Sequence, residues 1–300
     1  MDAITLEALE YEGLKGLLGA RTRSPLGRVA LESLAPTTDP AEVSVRRTRA
    51  AEALAFLREF RAPSPGPVDD PAEILSEVEP EGALIEPGRV SRLLSVIRAG
   101  LAWRDEIAAV RTRYPRLWDL AGAVPNLRPL LNDLAGKITT EGRLEDRASR
   151  RLAEIRGRIG TLEGRLQRQL REYLERSPVK EAIQDEFVTV RSSRFVIPVK
   201  VEARKEIPGI IHGASSTGAT VFVEPLEVVE ANNELVTLRE EEEAESVRIL
   251  REMGGRLRST LPELRSLRRL LGEADLLAAG AILAEEFDCV PATGADGVHL

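Results

Sequence analysis

The first half of the chain carries apolar residues at helical spacing, broken repeatedly by proline and glycine. Ser24 before Pro25 and Asp39 before Pro40 are typical helix N-caps followed by a first-turn proline. The pattern predicts a compact helical domain over residues 1–140. Its apolar periods lie at 6–18, 43–57, 74–78, 90–110 and 117–134.

A longer apolar seam begins at residue 144. Steps of three or four residues separate its members, which is the spacing of one helix face. The pattern predicts a single helix over 144–176, roughly 50 Å long, that packs against another helix along this seam. The seam consists of Leu144, Ala148, Leu152, Ile155, Ile159, Leu162, Leu166, Leu170 and Tyr173.

At Phe187 the period changes from about 3.6 to 2, which is the alternation of a β-strand. Strands are predicted at 187–191, 194–201, 209–212 and 219–223, with Ser192–Ser193 as a hairpin turn. After Pro225 the helical spacing returns and runs to Leu257. The order helix, strands, helix predicts a mainly α fold in which a long antiparallel helix pair carries a small β-rich module at its tip.

Three regions follow from these patterns. A helical domain covers 1–140, the helix pair covers 141–262 with the β-rich insert at about 186–226, and a further helix lies within 263–300. The last segment ends in a glycine-rich stretch that looks cut off, so we expect the natural chain to continue.

The composition excludes several classes of protein. With 43% hydrophobic and 30% charged residues, the 300-residue chain is long enough for about two folded domains. One cysteine excludes an internal disulfide, and with only two histidines a zinc site is not expected. No apolar run reaches membrane-spanning length and no secretory signal is visible, so the expected location is the cytoplasm, with no membrane partner.

Motifs that carry chemistry are weak in this sequence. No G-x-x-x-x-G-K-[ST] loop is present, so no nucleotide site is predicted. The Gly/Ser-rich run 209–218 favours hairpin turns over a phosphate cradle, and His212 favours a packed or surface histidine over a general base. Glu240–Glu243 point in different directions on a helix, which favours a solvated face over a cation site. We predict no catalytic, cofactor or metal site within the chain.

The basic residues of the β-rich module are the one feature of the sequence that suggests a function. Strand alternation places Arg194, Val196, Pro198 and Lys200 on one face. Residues 186–226 carry five bases against four acids, in a chain of net charge −7. A few basic side chains are enough to contact phosphates without reading the bases. The same residues are also explained by ordinary polar strand faces and helix salt bridges, without any binding function. The predicted nucleic-acid-binding residues are Arg191, Arg194, Lys200, Arg204 and Lys205.

Several runs of this sequence, most of them in the β-rich module, resemble the second bacterial MutS family, the MutS paralogues that lack the mismatch-reading domain. The resemblance covers nearly all 300 residues; it departs at Phe195, where tyrosine is common in the family, and at Ala214, where a polar residue is common. The runs are Leu6–Glu7, Thr22–Gly27 and Leu34–Pro36 near the N-terminus, and then Val188–Arg191, Arg194–Lys200, Ile207–His212, Ser215, Ser216, Gly218 and Thr220, Val221–Pro225, and Asn232–Leu235.

The resemblance implies an architecture and a set of activities. In this family a helical lever domain carries a β-rich clamp, and it is followed by an ATPase domain that uses ATP and Mg and dimerises, then by a small nuclease domain. Family activities include binding branched recombination intermediates, nicking DNA, suppressing homologous recombination and splitting collided ribosomes. These 300 residues lack the ATPase and nuclease motifs, so we expect the chain alone to show no ATPase or nuclease turnover.

Together these observations predict the N-terminal lever and clamp of such a protein, whose clamp binds branched DNA. Two alternatives fit the same residues. In the first, the β-rich module is an arm that contacts ribosomal RNA. In the second, the helix pair is a structural coiled-coil spacer that dimerises through the module.

Overall fold

The structure is a computed structural model that describes residues 3–139, 141–183 and 187–292. Within these ranges it has twelve α-helices and one four-stranded antiparallel sheet. The fold-class prediction is therefore confirmed. The helices are α1 (Ala3–Ala8), α2 (Tyr11–Gly19), α3 (Pro25–Glu32), α4 (Pro40–Glu59), α5 (Ala72–Glu77), α6 (Pro87–Ala109), α7 (Pro115–Ala121), α8 (Arg128–Ala135), α9 (Arg150–Leu174), α10 (Ser177–Ala182), α11 (Leu226–Ser259) and α12 (Leu261–Glu286). The strands are β1 (Thr189–Arg191), β2 (Arg194–Lys200), β3 (Gly209–Ala214) and β4 (Thr220–Pro225).

The chain forms two compact units. Unit 1 comprises Met1–Arg143 and Leu250–Leu300, and unit 2 comprises Leu144–Ile249. The three-part division made from the sequence stays a prediction, and most of its glycine-rich end lies outside the described residues. Among the residues that the structure describes, no helix has the length and apolar character needed to cross a membrane.

Unit 1 is a helical core organised around α12, which packs against α3 and α4. The predicted caps are confirmed, since Ser24 accepts a hydrogen bond from the Gly27 N–H and Asp39 accepts one from the Ala41 N–H. The continuous period at 117–134 is split into α7 and α8. Pro125 lies in this break; it has no N–H to donate and restricts the residue before it.

A buried carboxylate joins α12 to the start of α3. Asp275 is 1% exposed. It accepts hydrogen bonds from the backbone N–H groups of Arg23 and Ser24, at 3.0 and 2.9 Å, and from the Ser24 hydroxyl at 2.7 Å. This single side chain therefore orients the Ser24 cap and ties the helix start to α12.

Unit 2 is built on the apolar seam. The buried residues of α9 are the predicted seam members from Leu152 onwards, together with Leu174. The predicted start at residue 144 is wrong, because Asp146–Ala148 form a 3-10 turn and Ser149 caps the helix by accepting from the Leu152 N–H. The N-cap at Ser149 sets the start of the helix at Arg150, whereas apolar spacing alone placed it at residue 144.

The helices α9 and α11 run antiparallel. Arg156 near the start of α9 bonds Glu242 at 2.7 Å, whereas Arg176, just beyond its end, bonds Glu227 at 2.5 Å. Residue numbers thus rise along one helix as they fall along the other. Between them the α9 seam packs with Val228, Leu235 and Leu238 of α11 and with one face of the sheet.

A second buried carboxylate, Glu245, supports this pairing and predicts a pH dependence. The Arg248 guanidinium lies 2.6 Å from Glu245 Oε1 and 2.9 Å from Oε2, and the Ser149 hydroxyl donates to Oε1 at 2.6 Å. The Arg248 hydrogen bonds, assisted by Ser149 and opposed by burial, lower the pKa of Glu245 from 4.5 to about 2. A lowered folded-state pKa contributes stability above pH 4.5 that is lost as the pH falls toward 2.

We expect Glu245→Gln to lower the free energy of unfolding of unit 2 by about 1–2 kcal/mol at neutral pH. The difference from the wild type should shrink as the pH falls below 4.5. Amide exchange of α9 and α11 across this pH range measures it, with the exposed Glu243→Gln as the control. A difference that stays constant with pH would contradict the assignment.

Candidate nucleic-acid interface

The sheet has the strand order β1-β2-β4-β3, with every neighbouring pair antiparallel. The predicted hairpin is confirmed: Arg191 pairs with Arg194 across Ser192–Ser193. These serines have φ of 48° and 65°. Two consecutive positive φ angles are typical of the type I′ turn, whose twist matches that of the strands it joins.

Both faces of β2 are covered along its middle. Phe195, Ile197 and Val199 lie in the core shared with α9 and α11. The opposite face holds Val196, which is 0% exposed, and the buried Pro198. The face that the alternation assigned to Arg194, Val196, Pro198 and Lys200 is therefore an apolar strip with a base at each end.

The side-chain amide of Asn232 completes the edge of β2. Asn232 is fully buried on α11; its Oδ1 accepts from the Phe195 N–H at 2.9 Å and its Nδ2 donates to the Phe195 carbonyl at 3.0 Å. Ile197 pairs with Val223, so continuing the register places Phe195 opposite Pro225, which has no N–H. Pro225 cannot donate to the Phe195 carbonyl, and the Asn232 amide supplies that hydrogen bond while also accepting from the Phe195 N–H.

The buried carboxylate of Glu224 lies at the centre of a polar cluster on the sheet. No part of its side chain is exposed. Arg194 Nη1 bonds Oε1 at 2.8 Å, and His212 Nε2 bonds Oε2 at 2.6 Å. Arg194 Nη2 also donates to Asn233 Oδ1 at 2.6 Å. A buried carboxylate needs such partners, so the cluster joins β2, β3, β4 and α11.

The five predicted basic residues differ in the partners that their side chains already have. Arg194 is committed to the Glu224 cluster. Arg191 is exposed and lies over the Phe222 ring at 4.4 Å, which orients its guanidinium on the sheet. Lys200 donates to a backbone carbonyl at 3.1 Å, so its charge is not paired with an acid by that contact.

Arg204 and Lys205 lie together in the connection between β2 and β3. Both are exposed. They follow the 3-10 turn Val201–Ala203, in which Ala203 is buried. Across the described ranges, no salt bridge or side-chain hydrogen bond is recorded for either side chain.

Sequence reasoning missed the polar residues that hold the sheet together. Glu224, Asn232 and Asn233 appeared only as part of the resemblance, and His212 was placed as a packed or surface residue. His212 is part-buried and bonded to Glu224, which agrees with a packed histidine. One signal in the sequence could have revealed them: Glu224 interrupts an otherwise apolar strand, and the side-chain amides of Asn232 and Asn233 lie among apolar helix positions.

The acidic side chains and the glycine-rich run 209–218 are the candidates for a metal or nucleotide site. Within the described ranges, no group of three His, Cys, Asp or Glu side chains is arranged to hold a metal ion. The run 209–218, which superficially resembles a phosphate cradle, is β3 and the turn that leads to β4. These residues do not fit ATP with Mg.

Comparisons with known proteins identify the relatives of this chain. No protein-family model matches it. It is 34% identical over 295 residues to the endonuclease MutS2 of Acetivibrio thermocellus, 33% over 292 residues to that of Symbiobacterium thermophilum and 34% over 288 residues to that of Thermomicrobium roseum. These alignments cover 95–97% of the chain, and the chain spans 36–37% of the length of these relatives. By sequence, the chain therefore matches, over nearly its whole length, a region that makes up a little over a third of these endonuclease MutS2 relatives.

Proposed function

We propose that this chain supplies the nucleic-acid-binding lever and clamp of a MutS-type endonuclease. The observation that carries the proposal is the adjacent pair Arg204 and Lys205, both exposed and with no acid partner among the described residues. Arg191 and Lys200 extend the same proposal to the sheet. Arg194 acts as a positioning residue, because both of its terminal nitrogens are already bonded.

The charge balance supports backbone contacts of modest strength. Glu224 is buried and paired with Arg194, so this acid does not offset the exposed bases. Glu202 and Glu206 are exposed beside Arg204 and Lys205, which limits the local positive charge. Weak, salt-dependent binding to phosphates is the expected result. No groove-reading motif is present, so we expect selection of DNA shape, such as a four-way junction, over base sequence.

At the level of the longer protein, the paired helices α9 and α11 would transmit opening and closing to the sheet that they carry. Such a movement is a shift between two populated states, driven by whichever ligand favours one of them. We propose that ATP with Mg supplies this drive, that the longer protein is a homodimer that cleaves DNA, and that junction binding serves to suppress recombination. The relatives' name, endonuclease, supports the nuclease part of this proposal.

The test is a double charge reversal. We expect Arg204→Glu with Lys205→Glu to weaken binding to a four-way junction by about tenfold or more at low salt, and to reduce the slope of log affinity against log salt by about 2. Fluorescence anisotropy across a salt series measures both quantities.

The matched control is Arg92→Glu with Arg98→Glu on α6. Both arginines are exposed and the change in net charge is identical. Equal losses in the two double variants would mean that affinity follows net charge alone, and an unchanged affinity after reversal at 204 and 205 would also overturn the proposal. Tighter binding to an RNA duplex of equal length would favour the ribosomal alternative instead.

A further inference from the structure

Unit 1 contains an apolar groove that the nucleic-acid proposal does not use. Its volume is about 750 Å³, within the range of specific binding clefts. Val29 and Val45 on its walls are 41% and 38% exposed. The half-exposed Leu276, Leu277 and Gly280 of α12 also line it, and no atom lies within 4 Å of a Cβ built on Gly280. The groove is bounded by α2, α3, α4 and α12.

Among the described residues, one buried arginine nitrogen in the groove has no hydrogen-bond partner. The Nε of Arg49 is buried without a hydrogen bond, and no salt bridge to Arg49 is recorded in the described part of the chain. The other arginines that line the groove are paired with acids: Arg46 with Glu42, Arg268 with Asp70, and Arg269 with Glu273. A buried donor without an acceptor is costly, so Arg49 favours an occupant that brings a carboxylate.

The segment α1–α2 has the complementary character. Four of its large apolar side chains lie between 44% and 80% exposed. Glu7 and Glu10 are exposed on the same segment and have no recorded ion pair among the described residues. The exposed apolar residues are Ile4, Leu9, Leu14 and Leu17. Large exposed apolar patches rimmed by polar residues mark interaction sites.

We propose that the groove receives the α1–α2 segment of a second copy of this chain, with a carboxylate of Glu7 or Glu10 at Arg49. Leu18 of α2 lines the groove, so the groove and the acidic apolar segment adjoin one another in each copy. In the proposed dimer a two-fold axis relates the two contacts, so that each groove holds the other copy's segment, which is the isologous contact of a closed dimer. This surface lies in unit 1 and is independent of the sheet.

Charge exchange tests the contact with two single-surface variants. Arg49→Glu makes the groove acidic, and Glu7→Arg with Glu10→Arg makes the segment basic. Each variant alone would place like charges opposite one another in both halves of its homodimer. We expect each to self-associate about tenfold more weakly than the wild type, because juxtaposed like charges suppress association. Sedimentation velocity over a concentration series measures this.

The mixture of the two variants gives the sharper readout. In the heterodimer the acidic groove meets the basic segment, and the unchanged Arg49 meets the unchanged acidic segment. We expect the mixture to form heterodimers with an affinity close to that of the wild-type dimer. The exposed Arg92→Glu is the single-charge control, and it should leave association unchanged, as should the double reversal at Arg204 and Lys205.

Three results would overturn the inference. The wild-type chain would remain monomeric at every concentration, in which case the groove takes a different occupant. Arg49→Glu would dimerise as well as the wild type. The mixed variants would fail to form heterodimers while each retained the far-UV circular dichroism of the wild type.

Discussion

Replacing Asp275 by alanine is expected to lower the free energy of unfolding of unit 1 by about 3–5 kcal/mol. The carboxylate accepts from two backbone N–H groups and one hydroxyl at the start of α3. Its removal leaves these donors without their acceptor at a site that is 1% exposed, and it opens a cavity between α3 and α12. Both tryptophans of the chain, Trp103 and Trp118, lie in unit 1, so tryptophan fluorescence during urea unfolding reports on this unit.

Gly27 provides a coupling test for the same contact. A Cβ at Gly27 would overlap Asp275 Oδ2 and lie 2.8 Å from its Cγ, so Gly27→Ala displaces the carboxylate and should cost about 1–3 kcal/mol. In the Asp275→Ala background the overlaps with Oδ2 and Cγ are absent, and of these contacts only the one to Cβ, at 3.0 Å, remains. We therefore expect the double variant to be more stable than the sum of the two single effects predicts.

The exposed Glu263 on α12 is the matched control. Glu263→Ala should cost no more than about 1 kcal/mol, since it removes only a first-turn charge. Additive effects of Gly27→Ala and Asp275→Ala, or a loss at Asp275 no larger than that at Glu263, would contradict the role assigned to the buried carboxylate.

The second large effect is expected at Glu224. Glu224→Ala should destabilise the sheet by about 3–5 kcal/mol, because it leaves the largely buried Arg194 guanidinium without its counter-charge. His212 loses its bonded carboxylate oxygen at the same time. Amide exchange in β2 and β4 measures the local effect without requiring that both units unfold together.

Two further variants separate charge from packing at this site. Glu224→Gln keeps the side-chain volume and an acceptor for Arg194, so its loss should be smaller than that of Glu224→Ala. Glu202→Ala removes an exposed acid of the same unit and should change stability by no more than about 0.5 kcal/mol. If the amides of β2 and β4 were equally protected from exchange in Glu224→Ala and Glu202→Ala, the cluster would have no structural role.

The Glu224 cluster also divides the basic residues of the module by role. Loss of Arg194 should appear first as a loss of sheet stability, whereas reversal at Arg204 and Lys205 should change the salt-dependent affinity and leave exchange in the sheet as it is. This contrast follows from their contacts: Arg194 is 21% exposed and doubly bonded, while Arg204 and Lys205 are exposed. Sequence analysis placed all of them in one class, because charge and parity do not distinguish a committed base from an exposed one.

Local patterns determined much of the fold. The seam of α9, the change of period at Phe187, the Ser192–Ser193 hairpin and the caps at Ser24 and Asp39 were all predicted and are all present. Each depends on residues within a few positions of one another, for which spacing and side-chain type suffice. The errors at residue 144 and within 117–134 arose where a cap or a proline overrode apolar spacing.

Only the tertiary structure decided which polar groups meet. Asp275 bonds residues about 250 positions away, Asn232 bonds Phe195 from 37 positions away, and Glu224 joins Arg194 to His212 across three strands. Apolar periodicity states which face of an element is buried, because the hydrophobic effect is non-directional and scales with area. Hydrogen bonds and ion pairs require particular atoms at particular distances, and these distances exist only once the helices and strands have packed.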